Sequence, residues 1–132
     1  MNKTLVERQG VFYEVDSQIP YSGPFEESSE QGLDIGNYID GKLDGLWESY
    51  WGNGQLYYRC NFKDGELDGP YEEFYRDGQL EERSNYKNGK QDGLLERFDE
   101  EGNLTKTENY KDGKKDGILQ KIFQMLGKRE GE

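Results

Sequence analysis

The sequence predicts a mostly β protein: one elongated antiparallel sheet of 24-residue β-hairpin repeats, closed by a short C-terminal capping helix. Three observations carry this reading. Tyr38, Phe62, Tyr86 and Tyr110 open units of equal length without insertion, and Gly41, Gly65, Gly89 and Gly113 each follow three residues on. A fixed period in this range marks an array whose units pack on their neighbours. Asp44–Gly45, Asp68–Gly69, Asp92–Gly93 and Asp116–Gly117 recur at the same period, and Asn53–Gly54 and Asp77–Gly78 between the strands are strong hairpin signals because both residues tolerate positive φ. The composition opposes a helical array: Ala, the best helix former, is absent, and there are 18 Gly. In their place 10 Tyr, 6 Phe and 2 Trp recur at set places in the units, as aromatic strands between glycine turns would.

Taken in order, the chain reads as a single repeat domain over 1–132. Residues 1–37 hold a leading hairpin, Leu5–Arg8 and Val11–Val15 about Gln9–Gly10, and then a degenerate unit in which Gly23, Phe25 and Glu26 align with Gly45, Trp47 and Glu48. Full repeats occupy 38–61, 62–85 and 86–109, and a truncated one with the cap occupies 110–132. Atypical ends are expected of such an array, since they cover an exposed face. Each full unit predicts two strands, Leu46–Trp51 and Gln55–Asn61 in the first, separated by Gly52–Asn53–Gly54. A longer link such as Lys63–Gly69 then returns the chain. At the usual strand spacing each unit advances the sheet by roughly 10 Å.

Leu56 and Phe62, six apart, would share a face of a regular strand. Trp47 and Tyr50 are three apart, so either both faces carry aromatics or a bulge intervenes. At the end of the chain Ile118, Leu119, Ile122, Phe123 and Leu126 form a helical stripe, with Asp116 to cap its start and Gly127 to end it.

The balance of 17 Lys and Arg against 28 Asp and Glu leaves a net charge of −11 and a pI near 4.5. Such a surface repels nucleic-acid phosphates and anionic headgroups, so neither nucleic acid nor direct membrane binding is expected. It attracts a basic protein surface instead. A mean hydropathy of −1.17 and the lack of a long apolar run argue for a soluble protein. As it stands the chain reads as cytoplasmic, and as periplasmic if a signal peptide has been removed. Cys60 is the only cysteine, so no intrachain disulfide forms.

No group of residues looks catalytic, and neither a cofactor nor a metal is expected. There is no His, the commonest general base and metal ligand. Carboxylates are abundant but recur with the repeat, which supplies like environments, whereas a catalytic pair needs unlike ones. The recurring Asp residues suit turn closure against backbone N–H groups. The candidate partner-binding residues are Trp51, Tyr57, Tyr58 and Tyr75, aromatics outside the repeat-wide positions, and the acidic row Glu48, Glu72 and Glu96. Core packing and a solvated face are the structural alternatives for the two sets.

Tyr38–Gly45, read as Tyr-x-x-Gly-x-x-x-Gly, resembles the MORN repeat, and Gly45–Leu56, G-x-W-E-x-Y-x-x-x-G-Q-L, is similar to its second variant. With Val11–Asp16 and Ile19–Gly23 as lead-in, the chain resembles the bacterial YwqK-family antitoxins and immunity proteins. The resemblance implies an extended, often curved sheet of hairpins that binds protein or peptide and carries no enzymatic residues. It also implies neutralisation, by direct binding and occlusion, of a toxin or secreted effector with a basic or membrane-facing surface. The alternative is a scaffold or tethering module with no toxin partner.

Overall fold

The computed structural model describes residues 4–115, so the helix expected over Ile118–Leu126 lies outside the described residues. Strands β1 (Leu5–Arg8) and β2 (Val11–Glu14) form a hairpin of their own. The other eleven strands form one sheet: β3 (Gly23–Ser29), β4 (Gly32–Ile39), β5 (Lys42–Leu43), β6 (Gly45–Trp51), β7 (Leu56–Lys63), β8 (Glu66–Phe74), β9 (Leu80–Lys87), β10 (Lys90–Gln91), β11 (Gly93–Phe98), β12 (Leu104–Lys111) and β13 (Lys114–Lys115). Its order is β13-β12-β11-β9-β8-β7-β6-β4-β3, with β5 on β4 and β10 on β9, and every pairing is antiparallel. There is no helix among the described residues.

Two kinds of turn build this meander. Gly52–Asn53–Gly54 is a three-residue loop closed by the Trp51 and Gln55 backbones, with the Gly54 amide donating to the Trp51 carbonyl at 2.9 Å. Asn53 Oδ1 accepts from the Gln55 amide, as Asp77 Oδ1 accepts from the Gln79 amide one repeat later. The link expected merely to return the chain is itself a tight hairpin. Asp64 (φ 51) and Gly65 (φ 81) are both left-handed, the type I′ requirement, and Asp40–Gly41, Asn88–Gly89 and Asp112–Gly113 repeat it. These turns also stack along the array. The Gly65, Gly89 and Gly113 amides donate to the carbonyls of Leu43, Leu67 and Gln91 in the unit before, at 2.8–2.9 Å.

The leading hairpin docks on the first of these turns. The Phe12 amide donates to the Gly41 carbonyl at 2.8 Å, and the Phe12 and Tyr38 rings lie 5.3 Å apart. A Cβ on Gly41 would meet Val11 Cγ1 at 2.3 Å, whereas one on Gly65, at the same φ, meets nothing nearer than 3.7 Å. Gly65→Ala is therefore expected to cost about 1–2 kcal/mol, for the left-handed backbone alone. Gly41→Ala should cost about 1–3 kcal/mol more, since it also displaces the hairpin. Urea unfolding of the two variants measures the difference, and equal losses would mean that the hairpin is not docked.

A bulge recurs in every full unit and decides which residues share a face. Ser49 pairs with Tyr58 and Tyr50 with Leu56, leaving Tyr57 as an extra residue; Glu81 and Thr105 are extra at the equivalent shifts. Because β6 itself alternates regularly and the extra residue lies in β7, Trp47 and Tyr50 fall on opposite faces; of the two alternatives left open by their spacing, both faces carry aromatics. The expectation that Leu56 shares a face with Phe62 is overturned. Leu56 sits across from Tyr50 and Phe62 across from Gly45, on opposite sides, because the extra residue shifts the parity of the strand.

The core lies on one side of the sheet, here the front, as a row of rings packed side by side. Phe25 stacks on Trp47 at 5.9 Å, Trp47 meets Phe62 edge-on at 6.4 Å, and Tyr71 lies 6.0 Å from Tyr86. Small residues fill the strands between the rings. Gly36 lies beneath Trp47, where a Cβ would stand 2.1 Å from Cε3. Cys60 pairs with Trp47 on one side and Tyr71 on the other and is 3% exposed. Its repeat equivalents Ser84 and Glu108 are buried as well. Burial pushes the Cys60 thiol up to about 11. At about pH 8 its labelling by a thiol reagent is expected to run about a hundredfold or more below that of the urea-unfolded chain. Native labelling at the unfolded rate would show that the ring row opens freely.

Candidate functional site

The seven candidate residues divide between the two faces. Glu48, Glu72 and Glu96 are on the back, where they do not stand as a row of like charges. Register places Arg59 between Glu48 and Glu72, and Arg83 between Glu72 and Glu96. Arg59 Nε donates to Glu72 at 2.8 Å, and Arg83 Nη2 donates to Glu96 at 2.8 Å. Each guanidinium also lies over a ring, Arg59 at 5.9 Å from Phe74 and Arg83 at 5.7 Å from Phe98. The result is a cross-strand row of alternating sign, which stabilises the sheet in place of the repulsion that three carboxylates would bring. The arginines recur 24 residues apart just as the glutamates do, so the signal was in the sequence. Reading it required the hairpin register.

Trp51, Tyr57, Tyr58 and Tyr75 belong to the front. The bulge turns the extra residue Tyr57 to the same side as Tyr58, and their rings meet edge-on at 5.1 Å. Trp51 lies on Tyr57 at 4.1 Å, and Tyr58 stacks on Tyr71 at 5.9 Å. Arg76 covers Trp51, its guanidinium carbon 4.9 Å from the ring, and the Asn53 amide donates to the Arg76 carbonyl at 3.2 Å, tying adjacent loops together. Tyr75 holds the repeat position of Trp51 one unit later and does not join this cluster. Its hydroxyl donates to the Phe98 carbonyl at 2.7 Å.

A cleft of about 580 Å³ opens beside the cluster, lined by Ser49, Tyr57 and Tyr58 and by Glu27 and Asp34. Sequence reasoning missed Glu27 and Asp34. They come from the degenerate first hairpin, and the β4–β6 pairing carries them to Ser49 and Tyr58. Asp34 Oδ1 accepts from Ser49 Oγ at 2.5 Å.

On the far side of the cluster Tyr58 pairs with Glu73, which accepts from the Tyr71 hydroxyl at 2.9 Å. Burial raises the Tyr57 pKa and the nearby Glu73 charge adds to it. Burial likewise raises Glu81, again with a contribution from Glu73. Tyr57 therefore stands in the negative field of Glu73 and Glu81, with Glu27 and Asp34 lining the cleft beside it. The neighbouring Glu82 differs, because Arg97 Nε donates to it at 2.8 Å.

Residues 43–64, 67–88 and 91–112, half of the chain, match the MORN repeat variant in three consecutive copies. The chain belongs to the MORN repeat variant family. The matched copies begin with the spacing of the aromatic period, and the hairpin sheet is the one that MORN repeats build. MORN repeats are non-enzymatic modules that in general bind proteins or membrane lipids. No curated protein matches the chain. Among the described residues of this MORN protein no helix is long and apolar enough to cross a membrane, and no three acidic or cysteine side chains gather as a metal site.

Proposed function

We propose that this MORN protein is a non-enzymatic protein-binding module that acts as a bacterial antitoxin or immunity protein, occluding a toxin or effector by direct contact through the front of the sheet. The observation that carries this reading is the Trp51–Tyr57–Tyr58 cluster. The same sheet positions hold Tyr75, Glu81 and Glu82 in the next unit and Asp99, Thr105 and Lys106 in the one after, so folding does not demand aromatics there. Tyr and Trp in a negative surround are suited to anchoring a basic protein surface. The net charge of −11 favours such a partner over an anionic bilayer. A rigid sheet also loses little entropy on binding. Glu48, Glu72 and Glu96, on the other face, serve the sheet in this reading.

Co-expression with the product of the adjacent gene tests the proposal. That product is expected to arrest growth alone, to be harmless alongside this chain, and to co-purify with it. Tyr57→Thr/Tyr58→Lys, which installs what the third repeat carries, should weaken the complex. A neighbour that is harmless alone and forms no complex would sink the antitoxin reading. A stable complex with a neighbour that is harmless alone would favour the tethering module.

A further inference from the structure

We propose that the cleft beside Tyr57 and Tyr58 seats an arginine side chain of the protein partner, its guanidinium flat on the tyrosine rings and hydrogen-bonded to Glu27 and Asp34. This deepens the reading above and rests on it for the partner. The site itself rests on a pattern that the chain completes twice on its own back face. There Arg59 is held between the Glu72 carboxylate and the Phe74 ring, and Arg83 between Glu96 and Phe98. Arg76 also lies over a ring, that of Trp51 next to Tyr57.

The cleft has the ring and the carboxylates of this pattern without the cation. Among the described residues that line it there is no Lys or Arg, although it carries Glu27, Asp34, Tyr57 and Tyr58. The repeat shows what a self-sufficient unit does at these positions. Where the first repeat has Ser49 and Tyr58, the third has Arg97 and Lys106, and Arg97 reaches back to neutralise Glu82. The first repeat supplies neither cation, so its negative field is left for a partner to meet.

Arginine fits better than lysine for two reasons. Its planar guanidinium stacks on an aromatic face while its N–H edge remains free for carboxylates. Its fork also matches two acceptors at once, which a point-like ammonium does not. The charge complement points to a cationic protein segment. An anionic ligand would meet Glu27 and Asp34 with no cation to offset them.

The test is a titration of the full chain, followed by NMR of the aromatic resonances, with the N-acetyl amides of arginine, lysine and citrulline as probes. Citrulline keeps the shape of arginine and removes its charge. N-acetyl-argininamide is expected to shift the Tyr57 and Tyr58 ring signals saturably. N-acetyl-lysinamide should bind about fivefold more weakly or less, and the citrulline amide should have no saturable effect. In Tyr57→Thr/Tyr58→Lys the arginine response should fall about tenfold or more. Diffuse, non-saturating shifts would overturn the site, as would an unchanged response in that variant, an equal response to lysine, or none at all. The two proposals fail separately. Saturable arginine binding without a protein complex removes the toxin partner and leaves the site. A complex indifferent to the double substitution keeps the partner and removes the site.

Discussion

Replacing Gly32 by alanine is expected to destabilise the protein by about 3–5 kcal/mol, the largest loss from adding a single methyl group. Gly32 pairs with Trp51 where the degenerate first hairpin joins the first full repeat. Its φ is +153, and a Cβ there would lie 2.0 Å from the Tyr50 carbonyl oxygen and 3.1 Å from its carbon. Both obstacles are backbone atoms, so no rotamer change relieves them. Either β4 leaves β6 or the β6 end is pushed aside, and with it Trp51 and the cleft. Gly54→Ala is the control. Gly54 also has a positive φ, +87, but a Cβ there meets nothing within 4 Å, so the cost should stay near 1–2 kcal/mol, roughly that of a left-handed alanine. Urea unfolding followed by far-UV circular dichroism separates the two. A Gly32→Ala variant no weaker than Gly54→Ala would mean that β4 does not pair with β6 at this point.

Tyr38→Ala is expected to cost about 3–5 kcal/mol by removing a buried ring. Tyr38 is 5% exposed and is where the leading hairpin, the degenerate unit and the array meet. Its ring lies 5.3 Å from Phe12, 6.0 Å from Tyr21 and 5.8 Å from Phe25. Loss of the ring should therefore release residues 4–22 before the rest. Amide exchange is the informative measurement, because protection should vanish at Phe12 while persisting at Cys60 and Arg83. Tyr38→Phe keeps the ring and should remain close to wild type, within about 1 kcal/mol. Uniform loss of protection along the chain in Tyr38→Ala would refute the idea that this ring acts as the local fastening of the N-terminal end.

Much of this architecture was legible in the residues. The aromatic and glycine period announced the array, and Gln9–Gly10 marked the leading hairpin. Asn53–Gly54 and Asp77–Gly78 marked the turns between the paired strands, whereas the type I′ turns fall at Asp40–Gly41, Asp64–Gly65, Asn88–Gly89 and Asp112–Gly113, in the link expected only to return the chain. The candidate site was only half legible. Trp51, Tyr57 and Tyr58 stood out as departures from the repeat and do come together, whereas Tyr75 departs in the same way and is used to bind the next unit's backbone. Glu27 and Asp34 carry no local mark, since their role arises from a pairing between β4 and β6.

What the sequence by itself determined is what short windows of chain can encode: left-handed turns at Asp-Gly and Asn-Gly, aromatic strands between them, and a period that repeats both. Only the tertiary structure decided which residues face the same way. The single extra residue at Tyr57, Glu81 and Thr105 reverses the parity of each second strand. It separates Leu56 from Phe62 and turns Tyr57 toward Tyr58. Register then sets Arg59 and Arg83 between glutamates, so that an apparent stripe of like charge becomes an alternating one. A side chain's face in a sheet depends on a count of residues modulo two, taken across hydrogen-bonded partners distant in sequence. No local preference carries that count.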